Sequence, residues 1–260
     1  MADLFSIAGK TALVTGGGQG IGRMISQGFV EAGARVFIAS RKADVLDAAA
    51  AELRAAVPDA DVTTFTADLS THDGCKALAE QVSEAAGGSL DILVNNSGAN
   101  WGAPFEEFPD AAWDRCLDTN VKGVFHLTRY LTPALEAAGT HDDPSRVINI
   151  GSIDGLRTPE LDTWAYSASK AAVHHLTRTL ARTLAPKHIT VNAVAPGPFQ
   201  SKMMAATLDA FGDAIAASTP LKRIGTPEDM AGVTIFLSSR AGAYLTGTVI
   251  PVDGGMSQLR

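Results

Sequence analysis

Along the chain, short runs that are almost wholly apolar alternate with longer stretches in which apolar residues return every three or four positions. The short runs are TALVTG, RVFIAS, DVTTFTAD, DILVNNSG, RVINIGS, ITVNAVAPG and TVIPVDGG. A strand that is apolar throughout is buried on both faces, and a helical crossover between two such strands makes them parallel. The pattern predicts an α/β fold, a doubly wound parallel sheet of about seven strands with helices on both faces. The 260 residues suit a single domain, residues 1–260. Sheets of this kind bind ligands beyond the carboxyl ends of their strands, where strand order reverses.

Composition narrows the function classes. Hydrophobic residues make up 46% and charged residues 19%, an ordinary globular balance. No apolar stretch reaches the length of a membrane span, and MADLFSIAGKTALVTGG has no secretory leader, so a cytoplasmic protein without a membrane partner is expected. The net charge of −7 is spread over the chain without a basic stripe, which argues against nucleic acid. Cys75 and Cys116, the only cysteines, have neither CxxC nor metal-type spacing and read as reduced packing residues. No metal site is expected: His174 and His175 have no partner ligand at a suitable spacing and read as packing. The stretch Gly139 to Arg146 reads as an exposed loop, whose His141, Asp142 and Asp143 offer at most a weak cation site.

Chemistry gathers at the strand ends. The first ends in Gly16, Gly17, Gly18, Gln19, Gly20, Ile21 and Gly22, where missing side chains allow a tight turn and close approach of a phosphate to a helix N-terminus. The spacing is GxxxGxG, and glycines also end strands for steric reasons alone. The fourth ends in Asn95, Asn96, Ser97 and Gly98, suited to backbone groups or to an adenosine ribose. The fifth ends at Gly151 and Ser152, a hydroxyl able to bond a substrate carbonyl oxygen, and the sixth in the rigid turn Pro196-Gly197. Tyr166 and Lys170 sit four apart in a helical stretch, so phenol and ammonium project from one face. A phenol becomes a useful acid or base near neutrality only when a positive charge stabilises its phenolate.

These pieces, namely TGGGQGIG, Asp68 with Leu69, NNSG, Asn120, Ser152, Tyr166-x-x-x-Lys170 and Pro196-Gly197, resemble the short-chain dehydrogenase/reductase family in order and spacing over nearly the whole chain. The resemblance implies a Rossmann-like fold and hydride transfer between a nicotinamide cofactor and a carbonyl or alcohol. It implies Tyr166 as general acid/base and Lys170 as electrostatic support and ribose ligand. It implies Ser152 as the group that orients the substrate oxygen, and Asn120 as part of a proton relay from Lys170 to solvent. A non-enzymatic reading, a redox-sensing protein that keeps the nucleotide turn, would need none of these four. The segment at about residues 198–220 resembles the family's substrate lid, with Ser201 where relatives carry threonine. The family's usual dimerising pair falls on Asp110 to Glu136 and the Tyr166 helix, and its C-terminal contact implies a homotetramer.

Cofactor choice turns on the end of the second strand. A carboxylate there would repel a 2′-phosphate, whereas this chain has Ser40, Arg41 and Lys42, which favours NADP(H) over NAD(H). Gln19 supplies no second basic contact, and Arg41 and Lys42 also suit a solvated surface. Phe199, Ser201 and Met203 fall on the cofactor side of the lid. Met204, Leu208 and Phe211, with Trp101, Ile153, Leu161 and Trp164, make an apolar substrate site, although each also suits packing of the lid on its own domain. Asp154 binds a polar substituent or caps a turn, and Arg157 is the only obvious cation there. A large hydrophobic ketone is the expected substrate. NNSGANWGAPFEEFP and APGPFQSKM resemble NADPH-dependent 3-oxoacyl reductases of the rhamnolipid type, which makes a 3-oxoacyl thioester the alternative. An acyl-carrier partner, being acidic, would want a basic patch that this acidic chain does not show.

Overall fold

The computed structural model describes residues 4–200 and 205–259, without the side chains of 205–210. Ser201, Met203, Met204 and the side chain of Leu208 therefore lie outside the described residues. All seven apolar runs form strands: β1 Thr11–Thr15, β2 Arg35–Ser40, β3 Val62–Thr66, β4 Ile92–Asn95, β5 Ser145–Ile150, β6 Ile189–Pro196 and β7 Val249–Val252. They pair in parallel in the order β3-β2-β1-β4-β5-β6-β7. Register runs straight across the middle, with Val14 opposite both Ile38 and Val94. Strand order reverses between β1 and β4, so a ligand crevice is expected at their carboxyl ends.

The period-2 alternation of each strand splits the apolar residues between two cores. On one face Val14, Val36, Ile38 and Ile148 pack beneath α1 (Gly20–Glu31), α2 (Ala43–Ala56) and α8 (Pro227–Ser238), through Phe29, Leu53 and Met230. On the other, Leu13, Phe37, Leu93 and Val147 meet α3 (His72–Ala85), α5 (Gly123–Ala138) and α6 (Trp164–Leu184), through Leu78, Leu131 and Leu180. Cys75 and Cys116 are free and buried, as their spacing predicts.

Two local features depart from the sequence reading. The expected helix from Asp110 to Glu136 is interrupted: α4 (Asp110–Leu117) gives way to a π-helical turn at Asp118–Lys122 before α5 begins. The stretch 139–146 is not all exposed loop, because Ser145 and Arg146 start β5. Arg146 is 1% exposed, donating from Nε to Leu237 O at 3.1 Å and from Nη2 to Ser239 O at 2.9 Å and Asp143 Oδ1 at 2.8 Å. Lys10 bonds the same aspartate at 2.8 Å, so Asp143 is occupied by two cations of the chain rather than open to a metal. Among the described residues no group of three or more potential metal ligands comes together. No helix among them is long and apolar enough to cross a membrane.

Candidate active site

A cleft of about 620 Å³ opens at the carboxyl ends of the strands, at the reversal between β1 and β4. Its floor is the turn after β1. Gly16 has φ +66°, and a Cβ there would stand 2.7 Å from Asn96 Nδ2. Gly22 closes the turn from behind, since its Cβ would overlap the Gly16 carbonyl. Gln19 caps α1 without a side-chain bond, and no acidic residue occupies the first helical turn. The N–H groups there are thus left to an anion, the arrangement a phosphate takes at a helix N-terminus. Gly16, Gln19, Gly20 and Ile21 line the cleft, whereas Gly18 packs against Val45 and, like Gly22, shapes the turn without lining it.

The ends of β2 and β4 supply the next wall. Ser40, Arg41, Leu69, Asn96, Ser97 and Gly98 all line the cleft. Arg41 is exposed and makes no ion pair among the described residues. Lys42 and Asp68 do not line it. Lys42 is the N-cap of α2, and the Asp68 carboxylate takes bonds from Ser70 N at 3.0 Å and Ser70 Oγ at 2.8 Å, which hold it below its ordinary pKa. Asn95 corrects the expectation most clearly. Strand alternation turns it into the core, where its amide donates to Thr128 Oγ1 at 3.1 Å and Asn149 Oδ1 at 2.9 Å. Thr15, the first residue of TGGGQGIG, has a joining role: its hydroxyl accepts from Asn96 N at 2.9 Å and Ser97 N at 3.0 Å, tying the two strand ends together.

Ser152, Tyr166 and Lys170 meet on the opposite wall. Lys170, 5% exposed, donates from Nζ to Ile150 O at 2.8 Å and lies 5.5 Å from the Tyr166 ring centroid. Burial pushes Lys170 down to about 8 and Tyr166 up to about 12, with a bond from Ser152 acting against the latter and the Asp154 charge adding to it. The expected lowering of the phenol is thus not produced by the chain alone: at neutral pH Tyr166 is a proton-bearing acid. Ser152 Oγ accepts from Asp154 N at 3.1 Å, which fixes the serine on the short turn Ile153–Gly155. His174, one helical turn beyond Lys170, packs on Gly151 and Gly155, and burial drives it down to about 4.

Asn120 sits behind the cleft, in the π turn. Its Oδ1 accepts from Ala99 N at 2.7 Å, while Nδ2 donates to Ala99 O at 2.9 Å and Ser169 Oγ at 2.8 Å. The side chain therefore clamps the loop after β4 to α6 and makes no hydrogen bond to Lys170.

Ile153, Asp154, Leu161, Pro196, Gly197, Phe199 and Phe211 line the same cleft, Phe211 from α7 (Ala205–Ser218). Trp101 does not. It is 40% exposed, with the Arg115 guanidinium 5.8 Å from its ring. Trp164 likewise stays outside, donating from Nε1 to Ala103 O at 3.2 Å. Among the described residues the Asp154 carboxyl takes no hydrogen bond, and its backbone nitrogen donates to Ser152 Oγ.

A family profile described as enoyl-(acyl carrier protein) reductase matches residues 16–257. The chain is 46% identical to a rhamnolipids biosynthesis 3-oxoacyl-[acyl-carrier-protein] reductase of Pseudomonas aeruginosa, over 98% of this chain and 99% of that one. It is 36% identical to a tropinone reductase homolog of Arabidopsis thaliana, over 97% and 94%. A solved Pseudomonas aeruginosa RhlG/NADP active-site complex superposes with a TM-score of 0.94 at 45% identity, covering 99% of this chain and 100% of that one. The chain is a short-chain dehydrogenase/reductase. Like other members of that family it is an oxidoreductase acting between C=O and CH–OH groups. Within this short-chain dehydrogenase/reductase, several cleft residues escaped the sequence reading, among them Thr119, Ile215 and Met256. Met256 comes from the C-terminal segment, and no local signal links it to Arg157, whose guanidinium reaches its sulfur at 3.8 Å.

Proposed function

We propose that this enzyme uses NADP(H), in preference to NAD(H), to reduce a ketone carried on a large apolar substrate to a secondary alcohol. The observation that carries the reading is one cleft holding the uncapped glycine turn, the exposed Arg41 and the group Ser152, Tyr166 and Lys170. The glycine turn and the α1 N-terminus would hold the cofactor's pyrophosphate, and Arg41 its 2′-phosphate. When bound, the nicotinamide supplies or accepts the hydride. Ser152 orients the substrate oxygen, and Tyr166 delivers a proton to it from its phenol as charge builds there. Lys170 keeps its ammonium below a pH of about 8, and that charge eases the phenol's loss of a proton. Phe199, Leu161 and Phe211 give the cleft apolar walls that would shield the carbonyl from water once substrate is bound, with α7 as part of a lid at about residues 198–220. The similarity to a 3-oxoacyl-[acyl-carrier-protein] reductase favours a 3-oxoacyl thioester as that ketone. A single 260-residue domain, assembled as a homotetramer in the cytoplasm, accompanies this reading.

The test follows NADPH absorbance, with NADH in parallel, over 3-oxoacyl thioesters, bulky aryl ketones and small sugars. Tyr166→Phe should bind NADPH as the parent does and lose turnover by about 10²–10⁴-fold. A folded protein that binds the cofactor but reduces no carbonyl would instead be a redox sensor.

A further inference from the structure

The turn that carries Ser152 also brings a cation into the substrate end of the cleft. Arg157 is held there by its backbone, which donates to Ile153 O at 2.9 Å. Its side chain is 22% exposed, yet the guanidinium is poorly satisfied. Nη1 reaches Glu160 Oε1 only at 3.5 Å, Nη2 reaches Met256 Sδ at 3.8 Å, and Nε has no partner. A guanidinium has five N–H donors and no acceptor, and a largely buried one is normally saturated with bonds. This one has donors to spare in the cleft that Ser152, Tyr166 and Lys170 also line.

Its neighbours carry the opposite sign. Asp154 and Glu160 line the same end of the cleft, and the Asp154 charge already works against an anion on Tyr166. One cation between two carboxylates suits a neutral group that only accepts hydrogen bonds. It does not suit a second carboxylate, which the two acids would repel.

A 3-oxoacyl thioester has such a group, a second carbonyl one carbon away from the ketone. We propose that Arg157 is a specificity-determining residue that donates to the thioester carbonyl, while Asp154 and Glu160 exclude the free 3-oxo acid. This rests on the 3-oxoacyl reading given above.

The experiment compares a 3-oxoacyl N-acetylcysteamine thioester, a 2-alkanone of equal chain length and the free 3-oxo acid as substrates with NADPH. Arg157→Leu should raise KM for the thioester about tenfold more than for the alkanone, with kcat changed less than KM, and Arg157→Lys should recover part of the loss. The pair Asp154→Asn with Glu160→Gln should raise kcat/KM for the free acid about tenfold. Equal losses on thioester and alkanone would overturn the role of Arg157, and continued refusal of the free acid would overturn that of the two carboxylates. A parent enzyme that reduces the alkanone and not the thioester would overturn the 3-oxoacyl reading itself, a different result from either.

Discussion

The imidazole of His174 lies so close over Gly151 that a methyl group on that glycine would overlap the ring. Position 151 joins β5 to Ser152, so the glycine is required by a neighbour on α6 and not by a turn conformation. Gly151→Ala should destabilise the protein by about 1–3 kcal/mol through overpacking and lower reduction by displacing Ser152. His174→Ala in the same chain should recover part of both losses. Urea unfolding of the two single variants and the double variant measures the coupling, which would be absent if the two positions acted independently.

The same histidine gives the enzyme an acid limit. Its folded pKa is about 4 against 6.5 unfolded, because burial disfavours the charged ring. Between those values the unfolded chain binds a proton that the folded chain refuses, so stability falls as pH drops from about 6.5 toward about 4. The full effect is on the order of 3 kcal/mol. Asp154, raised by burial, acts in the opposite sense at the acid end of this window. Denaturation midpoints across this range should slope less steeply in His174→Leu than in the parent.

Asn120→Ala would leave the backbone of buried Ala99 without both of its amide contacts. Ala99 N would be left unpaired and Ala99 O would keep only the Cys116 thiol at 3.7 Å, so a loss of about 1–3 kcal/mol is expected. Turnover should fall as the loop from Asn96 to Ala99 loosens from α6. Thermal unfolding and NADPH reduction rates read the two effects. Stability unchanged from the parent would show that the clamp contributes nothing.

Arg41 has no ion-pair partner among the described residues to compensate for its removal. Arg41→Ala should raise KM for NADPH by about tenfold, near 1.4 kcal/mol, and leave KM for NADH within about twofold. Parallel titrations of the two cofactors decide it. Equal changes in both would remove Arg41 from 2′-phosphate recognition.

How far the sequence could be read depended on how local each signal was. Most of the seven strands were legible because they are apolar on both faces, and the edge strand β3, VTTFT, because its residues are β-branched or aromatic. Tyr166, Lys170 and Ser152 were legible as a group because helix spacing and strand ends place them without help from the rest of the chain. Asn95 and Asn96 were not separable by composition. Only strand alternation sends one to Thr128 and Asn149 in the core and leaves the other at the cleft. Trp101 looked like a substrate wall because it is large and apolar, but it stands outside the cleft with the Arg115 guanidinium 5.8 Å from its ring. The raised pKa of Tyr166 was hidden for another reason: burial is a property of the assembled site, and adjacency in sequence to a lysine says nothing of it.

The π turn at 118–122 puts α4 and α5 out of phase along one continuous rod. One extra residue in a helical turn rotates everything after it by about 100°. That offset lets α4 lie against α6, the carrier of Tyr166, while α5 faces α3 on the flank of the sheet. If the same residues ran on as an unbroken α-helix, α5 would be rotated by about 100° and its apolar face would turn away from α3. The rod works as a crank, and its throw is set by one amino acid.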